Sequence, residues 1–154
     1  MQAMLNLDDY FLNEILVKTN KDYIEGDNLK WTIDVEFNIR QAKESNLHFM
    51  ISLIVKVNED KVSFIKSSYK VLLKIDGLFS FSEGTDEDTI KKMIAPNGLS
   101  ILYGVARGVV AQVTANGRFG KLVLPSLNIN KVIKRKVDEL LKEKNVPKKK
   151  QSMV

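Results

Sequence analysis

Alternating apolar and polar side chains dominate the first half of the chain. Residues 31–39 carry an apolar side chain at every second position, a spacing that predicts a β-strand with one face against a core. Apolar residues also concentrate in 14–24, 47–57 and 62–75, and the turn-forming sequence Asn-Glu-Asp at 58–60 joins the last two of these segments as a hairpin. The pattern therefore predicts four consecutive antiparallel strands arranged as a meander.

The spacing of apolar residues changes to that of a helix beyond position 85. Thr85 and Asp88 form a capping-box pattern that predicts a short helix ending at Ile94. The Pro-Asn pair at 96–97 then predicts the start of a long helix over 99–115. The apolar residues of the long helix recur every three or four positions: Leu99, Leu102, Val105, Ala106, Val109, Val110 and Val113.

Asn116 and Gly117 end the long helix, and residues 122–124 predict a short apolar strand. A last helix follows Asn128, because five apolar residues share one face: Val132, Ile133, Val137, Leu140 and Leu141. The sequence therefore predicts a single α+β domain over 1–146, in which a four-stranded antiparallel sheet is followed by a long helix and a C-terminal helix. Residues 147–154 are predicted to be a basic, mobile tail.

Composition is consistent with one domain, since the chain has 154 residues of which 44% are hydrophobic. It contains no cysteine, which excludes disulfides and thiolate metal ligands. The first fifteen residues contain two aspartates and no basic stretch, so they do not have the pattern of a signal peptide. No apolar run approaches the length of a membrane span. We therefore expect a cytoplasmic protein without membrane insertion.

Positive charge is concentrated near the C-terminus. The formal net charge is +5, and residues 131–150 hold nine basic and three acidic side chains. Clustered positive charge raises the alternative of a nucleic-acid-binding protein. The residues that would contact phosphate are Lys131, Lys134, Arg135, Lys136 and the lysines at 148–150. Because no aromatic residues are interleaved with this charge, nucleic acid is the less favoured partner.

Patterns typical of catalysis are weak in this sequence. His48 is the only histidine, and the acidic residues Glu83, Asp86, Glu87 and Asp88 lie where a helix N-terminus attracts negative charge. The sequence NGRFGK at 116–121 resembles a phosphate loop, but it follows a helix instead of preceding one. We therefore expect no enzymatic activity, no metal and no cofactor, and we expect 116–121 to be a structural turn.

Two glycines interrupt the long helix. Gly104 and Gly108 lie one turn apart, and each costs about 1 kcal/mol relative to alanine in a helix interior. A close approach of another backbone would offset this cost, because glycine leaves a shallow groove on the helix surface. The sequence leaves two alternatives open, packing against the domain's own sheet and contact with another subunit.

The segment around these glycines resembles the SecB family of bacterial protein-export chaperones. The resemblance rests on residues in a fixed order: the Pro-Asn pair at 96–97, Tyr103, Ala106, Arg107, Gly117, Phe119, Leu122, Leu124, Pro125 and Asn128. Four preceding strands and the G-L-F-S sequence at 77–80 extend it over about residues 8–142.

This resemblance implies an ATP-independent chaperone that holds unfolded or precursor polypeptides in apolar grooves. It implies an α+β subunit that assembles as a dimer of dimers, with the interface at Tyr103, Gly104, Arg107 and Gly108. Some family members serve toxin-antitoxin modules, so a dedicated client is a further alternative. By alternation and by position we assign client binding to Trp31, Ile33, Val35 and Phe37, for which an ordinary core role is the alternative.

One surface departs from the family pattern. SecB-like proteins present acidic residues to the export motor SecA and usually have an acidic tail. Here Lys66, Lys70 and Lys74 are predicted on one face of the fourth strand, and the tail is basic. Like charges would replace the attraction that such an interface uses. The sequence therefore leaves open whether SecA is a partner.

Overall fold

The computed structural model describes residues 2–24 and 31–145. These residues form four strands and three helices in the following order: β1 (Leu5–Thr19), β2 (Ile33–Gln41), β3 (His48–Val57), α1 (Lys61–Ile65), β4 (Tyr69–Phe81), α2 (Glu87–Thr114) and α3 (Ile129–Asn145). The predicted α+β class, with a four-stranded antiparallel sheet before a long and a C-terminal helix, is confirmed. The predicted tail at 147–154 lies outside the described residues.

The strands form one antiparallel sheet in the order β1-β4-β3-β2. Strands β2, β3 and β4 are sequential neighbours, but β1 pairs with β4 at the far side of the sheet. The predicted meander is therefore wrong for β1, because alternation identifies a strand without identifying its neighbours. As a consequence, β1 and β2 are the two edge strands.

Alternate residues of the central strands form the core against α2. Strand β3 contributes Ile51, Leu53, Val55 and Val57, and β4 contributes Val71, Leu73, Ile75 and Phe79. Helix α2 covers them with Ile90, Ile94, Leu99, Leu102, Ala106 and Val110. Burying each Val, Leu, Ile or Phe side chain contributes about 1.5–3 kcal/mol before entropy is counted. This layer of side chains fixes α2 on one face of the sheet, while no described element covers the other face.

Strands β1 (Leu5–Thr19) and β4 (Tyr69–Phe81) differ at both ends from the predicted segments 14–24 and 62–75. The first part of β1 was not predicted from the sequence. Irregular pairing between Leu7 and Asp9 and between Leu12 and Glu14 interrupts the alternation of apolar and polar residues by which a strand is recognised. Residues 61–65 form helix α1 with Asp60 as its N-cap. Lys66 therefore lies at the C-cap of α1 and not on β4, which corrects its predicted position beside Lys70 and Lys74.

Helix α2 is continuous from Glu87 to Thr114, with Pro96 inside it. The predicted break at 96–97 is wrong, because packing of both halves against the sheet outweighs the hydrogen bond that proline cannot donate. The N-cap is Asp86, one position after the predicted Thr85. Residues 122–124 do not form a strand, although Leu122 and Leu124 are buried.

Among the described residues, α2 alone has the length and apolar composition that could cross a membrane. A buried core helix meets the same criteria, and nine residues of α2 are buried.

Candidate functional site

Strand β2 presents a row of backbone groups that no other strand pairs within the described residues. The N–H of Asn58 donates to the carbonyl of Thr32, and the N–H of Ala42 donates to the carbonyl of His48. Even-numbered residues of β2 therefore face β3, and the odd-numbered residues between them face outwards. The outward N–H and C=O groups belong to Ile33, Val35, Phe37 and Ile39.

The side chains of the same odd-numbered residues lie on the face of the sheet that α2 covers. Trp31, Ile33 and Phe37 are half-buried and pack against the core, whereas Val35 is only 6% exposed and is part of the core. The structure thus brings all four predicted client-binding residues to one edge of the sheet. Their role in binding stays a prediction.

Helix α3 lies alongside β2 and leaves a groove between them, which we call the edge groove. A cavity of about 290 Å³ lies between Asp34–Phe37 on β2 and four residues of α3, namely Val132, Arg135, Lys136 and Glu139. A second cavity of about 180 Å³ adjoins it at Ile33 and Leu127. The groove is therefore lined by apolar side chains at its base and by charged side chains along its rim.

Arg135 connects the two walls of the edge groove. Its Nη2 atom donates to Asp34 Oδ1 at 2.6 Å and to the carbonyl oxygen of Val35 at 2.9 Å. Its Nε atom is 3.6 Å from Glu139 Oε1. The hydrogen bond to Asp34 is the main cause that raises the pKa of Arg135 above its ordinary value. Sequence reasoning placed Arg135 in a basic cluster and missed its contact with β2, which joins residues a hundred positions apart.

Lys136 is also engaged with β2. Its ammonium group lies 5.8 Å from the centre of the Phe37 ring, which is within cation–π distance. Two of the basic residues considered for nucleic-acid binding, Arg135 and Lys136, therefore contact the chain's own β2.

The four predicted oligomer residues fall into two groups. Tyr103 is 4% exposed and its hydroxyl donates to the carbonyl of Pro125, while Arg107 Nε donates to the carbonyl of Leu124. Burial raises the pKa of Tyr103. These two side chains fasten the segment after α2 to the helix, so their bonds lie within the chain. Their place in a subunit interface stays a prediction.

Gly104 and Gly108 form the second group and face outwards. A Cβ atom added at either position would meet no other heavy atom within 4 Å. Packing of these glycines against the domain's own sheet, one of the two alternatives open from the sequence, is therefore excluded. Contact with another subunit is the alternative that remains.

The uncovered face of the sheet carries paired charges. Lys74 lies 3.1 Å from Glu14, and Lys56 lies 3.3 Å from Glu36. Of the lysines predicted on this face, Lys74 is thus paired with a carboxylate. Within residues 2–24 and 31–145, no group of three or more His, Asp and Glu side chains is arranged to hold a metal.

A one-sided antiparallel sheet with a groove at its edge strand defines an α+β protein whose site suits an extended polypeptide better than a small molecule. Residues 5–139 match the family model described as preprotein translocase subunit SecB, so the chain belongs to the SecB family.

Three proteins are similar to this chain at low sequence identity. The uncharacterized protein MJ0357 of Methanocaldococcus jannaschii is 23% identical over 121 residues, covering 79% of this chain and 72% of that protein. The Mycobacterium tuberculosis SecB-like chaperone Rv1957, solved with a ChAD peptide from the HigA1 antitoxin, is 14% identical with a TM-score of 0.61 and covers 81% of this chain and 91% of its own. A protein of unknown function from Streptococcus agalactiae is more distant, with 12% identity and a TM-score of 0.44; it covers 79% of this chain and 97% of its own.

Proposed function

We propose that this protein is an ATP-independent holding chaperone that binds unfolded or precursor polypeptides in the edge groove. The observation that carries the proposal is the row of outward backbone groups on β2 directly above half-buried apolar side chains. An unfolded segment brings both unpaired backbone and apolar side chains, and a sheet edge beside an apolar groove satisfies both. Membership of the SecB family and the antitoxin peptide bound to the related Rv1957 support the same role.

The proposed chaperone acts by binding alone, without catalysis and without a cofactor. Its client is an extended polypeptide, either an export precursor or a component of a toxin-antitoxin module. The peptide held by Rv1957 favours the second of these. Docking of SecA would need a contact other than an acidic sheet face, because this face carries lysines, of which Lys56 and Lys74 are paired with Glu36 and Glu14.

We place the proposed chaperone in the cytoplasm as a homotetramer, a dimer of dimers. The outward face of α2 around Gly104 and Gly108 supports assembly, because two glycines one turn apart allow another helix backbone to approach closely. Tyr103 and Arg107 would contribute by holding this helix and its following segment in position.

Suppression of client aggregation tests the proposal. A charge at Phe37 would lie in the apolar base of the edge groove, so Phe37→Asp should abolish most of the suppression of an unfolding client protein, followed by light scattering. Leu16→Asp is the matched control, since Leu16 is 48% exposed on β1, at the opposite edge and on the opposite face. Equal suppression by both variants and the wild type would exclude the edge groove as the client site.

The nucleic-acid alternative is tested with the basic C-terminus. A chain ending at Val146 should keep its chaperone activity, because β2 and α3 are intact. If nucleic acid were the partner, this truncation would weaken binding and reduce its salt dependence by roughly 0.9 log–log units for each duplex phosphate that the shortened chain no longer neutralises. Tight, sequence-selective binding by the full chain without any effect on client aggregation would favour the alternative.

A further inference from the structure

Arg135 donates a hydrogen bond to a backbone carbonyl of β2 with which an added strand would pair. The Val35 carbonyl is one of the outward acceptors of β2, and Arg135 Nη2 donates to it at 2.9 Å. A polypeptide that pairs with β2 along its length would bring its own N–H to the same oxygen. Arg135 and such a polypeptide are therefore competitors for one acceptor.

The contact is suited to being displaced. The Arg135 and Asp34 side chains are 50% and 40% exposed, and exposed ion pairs shift an equilibrium by less than about tenfold. Glu139, on the next turn of α3, lies 3.6 Å from Arg135 Nε and would keep a carboxylate beside the guanidinium after it leaves β2. The guanidinium of Arg135 therefore keeps Glu139 as a partner when its contact with β2 is broken.

We propose that Arg135 is a displaceable latch, which closes the edge groove by binding Asp34 and the Val35 carbonyl and opens when an extended polypeptide pairs with β2. The inference rests on the proposed chaperone function and adds to it how access to the groove is controlled. The partner is an extended segment with apolar side chains at alternate positions, because one face of an added strand lies against the apolar base of the groove. Arg135 acts by positioning α3 and by competing with the client.

Peptide titration measures the latch directly. The probe is a fluorescein-labelled unstructured peptide of about ten residues, comparable with the 9 residues of β2, with apolar residues at alternate positions. Arg135→Ala should bind it about threefold to tenfold more tightly than the wild type, the range that one net hydrogen bond contributes. Lys142→Ala removes one positive charge from the same helix and should leave the affinity unchanged. Fluorescence anisotropy follows binding, and circular dichroism checks that α3 is retained.

A second variant distinguishes loss of the Arg135–Asp34 contact from an effect of net charge on peptide binding. Asp34→Asn removes the carboxylate that holds Arg135 and should also tighten binding, although it changes the charge in the opposite direction to Arg135→Ala. The double variant should bind no more tightly than Arg135→Ala alone, because both substitutions open the same contact. Additive effects would show that the two residues act separately and would overturn the latch.

Backbone N-methylation tests competition at the Val35 carbonyl. A set of peptides methylated at one amide each should contain one position where methylation removes the gain shown by Arg135→Ala, since that amide replaces the guanidinium. Weaker or unchanged binding by Arg135→Ala would overturn the latch and leave the chaperone function standing. Failure of every variant and of the wild type to bind the peptide would overturn the chaperone function, and the latch with it.

Discussion

Tyr69 joins the sheet to the turn that follows α2. The side chain is 2% exposed, and its hydroxyl accepts from the N–H of Phe119 and donates to the carbonyl of Gly120, both at 2.9 Å. A Cβ atom at Gly117 would collide with the same hydroxyl. Gly117 of the sequence NGRFGK thus makes room for a phenol, and Gly120 adopts the left-handed backbone of the turn with φ 76°, which gives this stretch a structural role.

Removing the Tyr69 hydroxyl should destabilise the protein. Tyr69→Phe leaves the N–H of Phe119 and the carbonyl of Gly120 without their partner, at a cost of about 1–3 kcal/mol in the free energy of unfolding. Urea denaturation measures this change. Tyr10→Phe, at a residue that is 46% exposed, is the control and should leave the midpoint where it is. Equal stability of both variants would show that the hydroxyl contacts contribute nothing.

At the scale of elements, α2 depends on its first turn and on its approach to the sheet. Asp86 caps the helix by accepting from the Thr89 hydroxyl at 2.6 Å and from the Thr89 N–H at 3.0 Å. These hydrogen bonds lower the pKa of Asp86. Gly77 of β4 lies beneath the helix, where an added Cβ would come within 2.9 Å of Leu102 Cδ1.

The cap should make stability depend on pH in a defined direction. Because the folded-state pKa of Asp86 is lowered, its stabilisation is present above the unfolded pKa and is lost as the pH falls through the folded value. Asp86→Ala should therefore lower the urea midpoint at about pH 7 and differ less from the wild type at about pH 3. Asp86→Asn keeps a capping side chain that does not titrate, so its urea midpoint at about pH 7 should fall less than that of Asp86→Ala. If the difference in urea midpoint between Asp86→Ala and the wild type stayed constant from about pH 7 to about pH 3, the capping role of the Asp86 carboxylate would be contradicted.

Substitution by alanine should change stability in opposite directions at Gly77, which lies on β4 beneath α2, and at Gly104, on the outward face of α2. Gly77→Ala adds a methyl group against Leu102 and Phe79, and such overpacking costs about 1–3 kcal/mol. Gly104→Ala meets no neighbouring atom and gains helix propensity, about 1 kcal/mol at most for a single protomer. Chemical denaturation at low protein concentration compares the two. Destabilisation by both would mean that position 104 is already packed against another chain.

At the scale of the whole molecule, the proposed function uses two of the exposed surfaces of the described chain. One is the edge groove between β2 and α3, and the other is the outward face of α2 around Gly104 and Gly108. They use different elements, so a client on β2 would not compete for the glycine face of α2. This arrangement allows assembly and client binding at the same time.

Assembly through the glycine face should be visible in the molar mass. Light scattering should report about four times 17.5 kDa for the wild type. Gly104→Leu should shift the mass towards the dimer, because a large side chain would separate two helix backbones that approach closely. Leu16→Asp, away from this face, should keep the wild-type mass. A monomeric wild type would refute assembly, and an unchanged mass of Gly104→Leu would place the interface elsewhere.

The sequence by itself determined the fold class, the strands β2 and β3, residues 69–75 of β4 and the amphipathic character of α2 and α3. Each of these has a local period, because a strand or helix with one buried face must repeat its apolar residues every two or every three to four positions. The order of the SecB-like residues from Tyr103 to Asn128 likewise identified the family, and the alternation in β2 selected the four residues now found at the sheet edge.

Only the tertiary structure decided which elements are neighbours. The pairing of β1 with β4, the continuity of α2 through Pro96 and the bonds of Tyr103 and Arg107 to the following segment all depend on residues brought together by packing. Arg135 is the clearest case, since its partners Asp34 and Val35 lie a hundred positions away in the chain. A local pattern of apolar residues shows which side of one segment faces the core and which faces solvent. A contact between distant segments depends instead on the free energy of the whole packed chain.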